Sequence, residues 1–209
     1  FNTRHLMRGY WQLGSSARFV LLALASGIPF NGMFLYVLAA PAFLGDHLGL
    51  EPGQFFWFFV MTISGIMGGA WLSGRLAGKV APKHQIRHGF VIMLTTSALN
   101  LIANALFPAH VAWALLPIAI FSFGWALMVP VVTLLVLDLY PERRGMASSM
   151  QAFIGSTANG LVAGVVVPLV MHSTLLLATA SLCMLGIGLV AWFYLHQRWP
   201  EIGRINTLH

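Results

Sequence analysis

Residues 111–137 read VAWALLPIAIFSFGWALMVPVVTLLVL and contain no Asp, Glu, Lys or Arg. About 20 predominantly apolar residues are enough for a helix to cross the hydrocarbon core of a bilayer. Similar runs precede and follow this one, separated by Pro, Gly or charged residues. The pattern therefore predicts six membrane spans, at residues 19–44, 55–73, 89–107, 111–137, 147–170 and 175–195.

The composition agrees with six spans. The chain of 209 residues is 58% hydrophobic and 8% charged, whereas about a quarter of the residues in soluble domains are charged. Six spans use most of this length, so we expect an all-α membrane protein that forms a single bundle over residues 1–209, with the lipid bilayer around it. The net charge of +6 is spread between apolar runs, which argues against nucleic acid as a partner.

The basic residues predict the orientation of the bundle. They all fall in the two tails or in the second and fourth connections, whereas the first, third and fifth connections have none. Basic segments tend to stay on the cytoplasmic side of a membrane. We therefore expect a multi-pass protein with both termini in the cytoplasm. The basic positions are Arg4, Arg8, Arg18, Arg75, Lys79, Lys83, Arg87, Arg143, Arg144, Arg198 and Arg204.

The acidic residues and the histidines give no sign of catalysis or of a metal site. All five acidic side chains lie at or beyond the ends of the predicted spans. His84 and His88 have a helical spacing that suits a metal, but a polar turn beside the membrane is the commoner reason for such a pair. An intramembrane serine protease would need a histidine near Ser64, and none of the predicted spans contains one. We expect no enzyme activity, metal or cofactor.

Two amides and a glycine share one face of the fifth predicted span. Gln151, Gly155 and Asn159 recur at i, i+4 and i+8, a spacing that places them on the same side of a helix. Polar side chains are costly in lipid, so this face indicates a polar cavity. Hydrogen bonding between packed helices is the alternative explanation.

The fourth and first spans contribute further candidates. Phe121, Trp125 and Met128 follow i, i+4 and i+7, which indicates a soft apolar wall for a ligand, with ordinary packing as the alternative. Residues 27–32 read GIPFNG. Such a cluster can interrupt the backbone hydrogen bonds of the helix, as in the discontinuous helices of transporters, or it can simply kink the helix. We expect one solvent-accessible cleft for a small molecule, lined by Asn31, Trp125, Met128, Gln151 and Asn159.

Three other stretches carry motifs. Residues 36–55 read YVLAAPAFLGDHLGLEPGQF, residues 74–83 read GRLAGKVAPK and residues 141–150 read PERRGMASSM. Together they resemble the C-terminal six helices of a major facilitator superfamily transporter, nearest to the Bcr/CflA-type drug-resistance efflux proteins. The first stretch is similar to that family's seventh helix and the loop after it, and the third to the short basic loop before its eleventh helix. The second is similar to the cytoplasmic loop motif G-x-L-x-D-R-x-G-R-R, although Gly78 replaces the Asp; it contributes Gly74, Arg75, Lys79 and Lys83.

The resemblance implies the C-terminal half of a proton-coupled exporter, an antiporter of small amphipathic compounds or drugs, in the bacterial inner membrane. Such a half consists of two inverted three-helix repeats, here residues 19–107 and 111–195, and works by alternating access. The first, second, fourth and fifth spans would face the substrate, with Tyr36 as a further contact, and the third and sixth would form an outer scaffold. The coupling carboxylates would belong to an N-terminal six-helix half.

A six-helix module that pairs with itself is the alternative, as a half-size transporter or an assembly subunit. The two halves of this fold are related by an axis along the membrane normal, and a parallel homodimer could reproduce that arrangement. The chain begins at Phe1 rather than Met, so we expect it to be a piece of a longer protein. The residues upstream of Phe1 would distinguish the two architectures.

Overall fold

The computed structural model describes residues 2–108 and 110–204, and within these ranges it contains helices and short connections but no strand. The chain forms π-helical segments at Pro41–His47 and Val162–Val166 and a short 3-10 turn at Pro52–Gln54. The α-helices in the described part are α1 (Thr3–Ser15), α2 (Ala17–Leu38), α3 (Phe56–Leu76), α4 (Pro82–Leu106), α5 (Val111–Leu139), α6 (Arg144–Leu161), α7 (Val167–Val170) and α8 (Thr174–Arg198).

In the described part of the chain, six segments are long and apolar enough to cross a membrane. They are α2, α3, α4, α5, α8 and a composite of α6, its π-helical continuation and α7. The prediction of an all-α protein with six spans is therefore confirmed. Short connections make successive spans alternate in direction, so the Lys and Arg side chains collect at one end of the bundle, which we call the cationic end.

Local sequence signals explain where several helices begin and end. Pro82 occupies the first position of α4, where its missing N–H costs no hydrogen bond. The Ser173 side chain caps α8 by accepting a hydrogen bond from the Leu176 N–H at 3.4 Å. After α3, Gly78 adopts a left-handed conformation with a φ of 75°, which glycine reaches without a steric penalty.

Two predicted boundaries are wrong by more than one helical turn. The first span does not remain α-helical through residue 44, because α2 ends at Leu38 and the chain continues as a π-helix over Pro41–His47. Pro41 lacks an N–H and cannot continue the α-helical ladder. The third span begins at Pro82 rather than at residue 89, because the polar turn that precedes its apolar run is also helical.

Helix α1 lies in the N-terminal tail, where the sequence pattern indicates only a basic segment. Its buried side contains Gly9 and Leu13. Gly9 lies against the side chain of Met146 in α6, and Gln12 Oε1 accepts a hydrogen bond from Arg143 Nη1 at 2.6 Å. Helix α1 therefore packs against the start of α6 at the cationic end.

The core is organised around α2 and α5. Helix α2 packs against α8, α6 and α5, and α5 packs against α3 and α4. Glycines permit the closest crossings, such as Gly188 of α8 against the ring of Pro29 in α2. A Cβ atom on Gly89 of α4 would lie 2.8 Å from the carbonyl oxygen of Gly124 in α5. Only glycine lets the two backbones approach this closely.

Two spans leave most of their surface uncovered. The buried share of the most apolar stretch is 17% in the span that contains α3 and 11% in the α6–α7 span, compared with 56% in α2. Helix α3 packs chiefly on α5, where Gly65 and Gly69 face the carbonyl groups of Ala119 and Phe123. Within the described residues, one side of α3 and one side of the α6–α7 span are therefore not covered by other helices.

Candidate functional site

An open cleft lies between α2, α5 and α6 and has a volume of about 400 Å³. Along α6 it extends from Ser148, near the cationic end, to Asn159. Its lining residues are all uncharged. The polar side chains among them are Ser26, Thr133, Ser148, Gln151, Ser156 and Asn159.

The α6 side of the cleft is the face that the sequence spacing indicates. Gln151, Gly155 and Asn159 all line it, one helical turn apart. The Gln151 amide nitrogen lies 3.3 Å from Ser26 Oγ and 3.5 Å from Thr133 Oγ1. Hydrogen bonds of this length are weak. A ligand that binds the Gln151 amide would therefore replace only weak interactions with Ser26 and Thr133.

Asn159 has an acceptor that the described residues do not use. Its Oδ1 atom is buried and accepts no hydrogen bond from any of them. A buried acceptor without a partner costs free energy. Because Asn159 also lines the cleft, a turn of its side chain would present this acceptor to a donor group of a ligand.

Two aromatic side chains form an apolar wall. The rings of Phe30 and Trp125 lie 4.8 Å apart between centroids, and Phe30 also stacks on Phe34 at 5.1 Å. The Trp125 indole N–H donates to the carbonyl oxygen of Ser26 at 3.0 Å, which fixes the orientation of the ring. The cleft thus combines amides and hydroxyls with an aromatic surface.

Three residues predicted to contact a ligand lie away from the cleft. Asn31 and Met128 are fully buried, so they do not line it, contrary to the prediction. Asn31 donates to the Gly27 carbonyl of its own helix at 3.4 Å, and Met128 packs beneath Gly89 of α4. Tyr36 is buried against α4 instead of facing α6.

The cleft is also lined by residues that were not among the predicted contacts. Ser26 and Phe30 line the cleft from α2. Phe30 lies one residue before the predicted Asn31, and a step of one residue rotates a side chain by about 100° around a helix. On α5 the lining follows Trp125, Val129 and Thr133 at i, i+4 and i+8. That spacing is the one found on α6, and the polar Thr133 is the signal that identifies this face.

A second polar group within the spans is closed. Asn100 Nδ2 donates to the Tyr36 hydroxyl at 3.0 Å, and Asn104 Nδ2 donates to the Asn100 carbonyl and Oδ1 at 2.7 and 2.9 Å. We call Tyr36, Asn100 and Asn104 the amide cluster. The cavity beside Tyr36 and Asn100 has a volume of about 10 Å³, which is no larger than one water requires.

A sequence model of the Major Facilitator Superfamily matches residues 2–164 of the 209-residue chain. The chain belongs to the Major Facilitator Superfamily. It is therefore a multi-pass membrane transporter, in agreement with its six apolar helices. A search of curated proteins finds no match.

The residues that resemble the superfamily's loop motif do not form one site. Gly74 lies in open space, the Arg75 guanidinium lies 5.0 Å from the centroid of the Trp71 ring, and Lys83 faces a groove toward α8. Within residues 2–108 and 110–204, neither these side chains nor Lys79 form an ion pair. In the described part of this Major Facilitator Superfamily chain, no acidic side chain therefore pairs with the basic residues of this loop.

Proposed function

We propose that this chain is the C-terminal half of a twelve-helix secondary active transporter and that the cleft is its part of the substrate path. The observation that carries the proposal is the cleft of about 400 Å³, lined by amides, hydroxyls and two aromatic rings and by no charged side chain. Such a lining suits small amphipathic compounds, which have an apolar body and a few hydrogen-bonding groups. The resemblance to Bcr/CflA-type efflux proteins supports export as the direction.

The uncovered faces of α3 and of the α6–α7 span support an N-terminal six-helix half as the partner. Both spans are mostly exposed, and α6 presents small side chains there, such as Ser149, Ser156 and Thr157. Small residues let membrane helices pack closely. A second half on this surface would turn the cleft into a chamber between the halves, which rocking of the two halves could open to either side.

The positions of the carboxylates support proton coupling through the other half. Proton-coupled transporters hold a titratable residue within the membrane. In this chain the acidic side chains lie at or beyond the helix ends, at Asp46, Glu51, Asp138, Glu142 and Glu201. We therefore expect that the chain alone does not carry out proton-driven transport.

The test is the flux of an amphipathic fluorescent dye, driven by a pH gradient, into proteoliposomes containing the complete twelve-helix protein. We expect Gln151→Ala to reduce the flux, because it removes an amide that faces the cleft. Thr179→Ala, which changes an exposed residue of α8 outside the cleft lining and outside the uncovered faces of α3 and α6, is the matched control and should transport normally. Unchanged flux in the Gln151 variant would remove the cleft from the substrate path.

The 209-residue chain in the same liposomes tests the architecture. We expect no gradient-driven flux from it. Flux from the chain alone that an uncoupler abolishes, together with dimers in cross-linking, would support the self-pairing module instead.

We also propose that the protein lies in a bacterial inner membrane with its cationic end in the cytoplasm, because basic loops are retained on that side. Glu51→Cys and Lys79→Cys, each in a Cys183→Ser background, place a thiol in connections at opposite ends. An impermeant maleimide should label only the Glu51 variant in intact bacterial cells. Labelling of only the Lys79 variant would reverse the orientation.

A further inference from the structure

A groove between α4 and α8 opens at the cationic end and has a volume of about 500 Å³. It shares no lining residue with the cleft. Its basic lining residues belong to the first turns of α4 and the last turn of α8, and they are Lys83, His84, Arg87 and His196. No acidic residue is among the described side chains that line it.

The rest of the groove is apolar. Its walls, deeper along the two helices, include Phe90, Leu94 and Trp192. From Lys83 to Leu94 an α-helix rises about 16 Å, close to the roughly 15 Å that one leaflet contributes to the hydrocarbon core. The groove therefore places cations at the depth of lipid headgroups and apolar side chains at the depth of acyl chains.

The polar end of the groove contains side chains that lack ion-pair or hydrogen-bond partners among the described residues. Neither Lys83 nor Arg87 forms an ion pair within residues 2–108 and 110–204. The Nδ1 atom of His196 is buried and has no hydrogen-bond partner there, and its ring stacks on Trp192 with a centroid separation of 6.0 Å. An anion in the groove would pair with Lys83 and Arg87 and would lie beside the His196 ring.

We propose that the groove binds one anionic phospholipid, whose phosphate contacts Lys83, Arg87 and the His196 ring and whose acyl chain lies along the exposed Leu94 and Phe193. Basic pockets between membrane helices recognise anionic headgroups in this way. A neutral lipid would cover the apolar walls but leave the cations unpaired. A second copy of the chain related by a two-fold axis would bring the same cations together. The site is independent of the transported compound and of the direction of transport.

The test uses the purified 209-residue chain in detergent. The chain is titrated with phosphatidylglycerol or with phosphatidylcholine of the same acyl chains, and native mass spectrometry counts the lipids that remain bound. We expect phosphatidylglycerol to bind more tightly. The double variant Lys83→Gln/Arg87→Gln should weaken its binding by roughly tenfold or more, since each cation near the headgroup contributes favourably. The matched control is Arg75→Gln/Lys79→Gln, which removes the same charge from the same end outside the groove.

Three results would overturn the proposal. Equal losses in the two double variants would show a diffuse attraction to the cationic end, and equal binding of the two lipids would show an apolar groove without headgroup recognition. Glycerol 3-phosphate that binds as tightly as the lipid would show a site for a free phosphate. Leu94→Trp fills the apolar part without changing the charge, so it should also weaken lipid binding, and it provides a second test if the charge variant does not fold.

Discussion

The cleft and the amide cluster contain similar side chains in the same bundle, yet one is open and the other closed. In the amide cluster, Asn100 and Asn104 donate hydrogen bonds of 2.7 to 3.0 Å. In the cleft, Gln151 makes hydrogen bonds of 3.3 and 3.5 Å. The difference shows that an amide within a span is a candidate binding group only where its neighbours leave it unsaturated.

The packing of the helices accounts for this difference. The amide cluster joins α2 to α4 and lies beside the Pro117–Phe121 part of α5 and Ser181 of α8, so helices enclose it. Gln151 lies on α6, whose span is mostly uncovered. An enclosed amide contributes its hydrogen bonds to stability, whereas an amide beside an open cleft remains available to a ligand.

The largest expected effect is on access of water to the two regions. Ala152→Cys places a thiol at an exposed position in the cleft, and Ser97→Cys places one beside the amide cluster at a position that is 3% exposed. In a Cys183→Ser background, a charged thiosulfonate should modify the first thiol completely and the second only after unfolding. The measurement is the mass of the labelled protein over time.

A third position separates exposure to water from exposure to lipid. Val190 is 69% exposed on α8, on a span that we expect to face the bilayer. Val190→Cys should remain unmodified by the same charged reagent. If Ala152→Cys were equally unreactive, the cleft would be filled by lipid, and the contrast with the amide cluster would disappear.

The next effect is on stability, and it should be confined to the amide cluster. Asn100→Ala removes the side-chain partner of Tyr36 and one of the two acceptors of Asn104, which keeps its hydrogen bond to the carbonyl of residue 100. It should lower the free energy of unfolding by about 2 kcal/mol. Tyr36→Phe removes a single hydrogen bond and should cost about 1 kcal/mol. Reversible unfolding in mixed micelles measures both values. If Asn100→Ala lowered the free energy of unfolding by less than Tyr36→Phe does, the amide cluster would not be a saturated hydrogen-bond network.

The sequence predicted the number and the order of the spans because apolar length and the positions of the cations are local properties. The sequence did not predict α1. The burial of Gly9 and Leu13 in this helix depends on packing against α6, where Met146 lies against Gly9, and that contact is not visible in the local sequence. It also missed the π-helical segment after α2, since Pro41 indicates an interruption but not how the chain continues.

The cleft includes the predicted Trp125, Gln151 and Asn159 and leaves out the other three predicted contacts for a geometrical reason. The spacing of Gln151 and Asn159 defines a face, and that face lines the cleft. Asn31 and Met128 have suitable chemistry, but each lies about 100° around its helix from a lining residue. Which face of α2 or α5 meets α6 depends on the packing of all the spans, and a single helix does not encode it.

The smallest effect concerns Gln151 itself and supplies the strictest comparison between the two regions. Hydrogen bonds between membrane helices contribute about 0.6 kcal/mol on average, and the contacts of Gln151 with Ser26 and Thr133 are longer than those in the amide cluster. Gln151→Ala should therefore lower the free energy of unfolding by less than about 0.6 kcal/mol. A double-mutant cycle with Thr133→Val should give a coupling energy close to zero, whereas a cycle with Tyr36→Phe and Asn100→Ala should not. Binding of an amphipathic dye should fall in the Gln151 variant even though its stability is retained. If the coupling energy between Gln151 and Thr133 were as large as that in the amide cluster, the Gln151 amide would be saturated by its neighbours. It would then not be available to bind a ligand in the cleft.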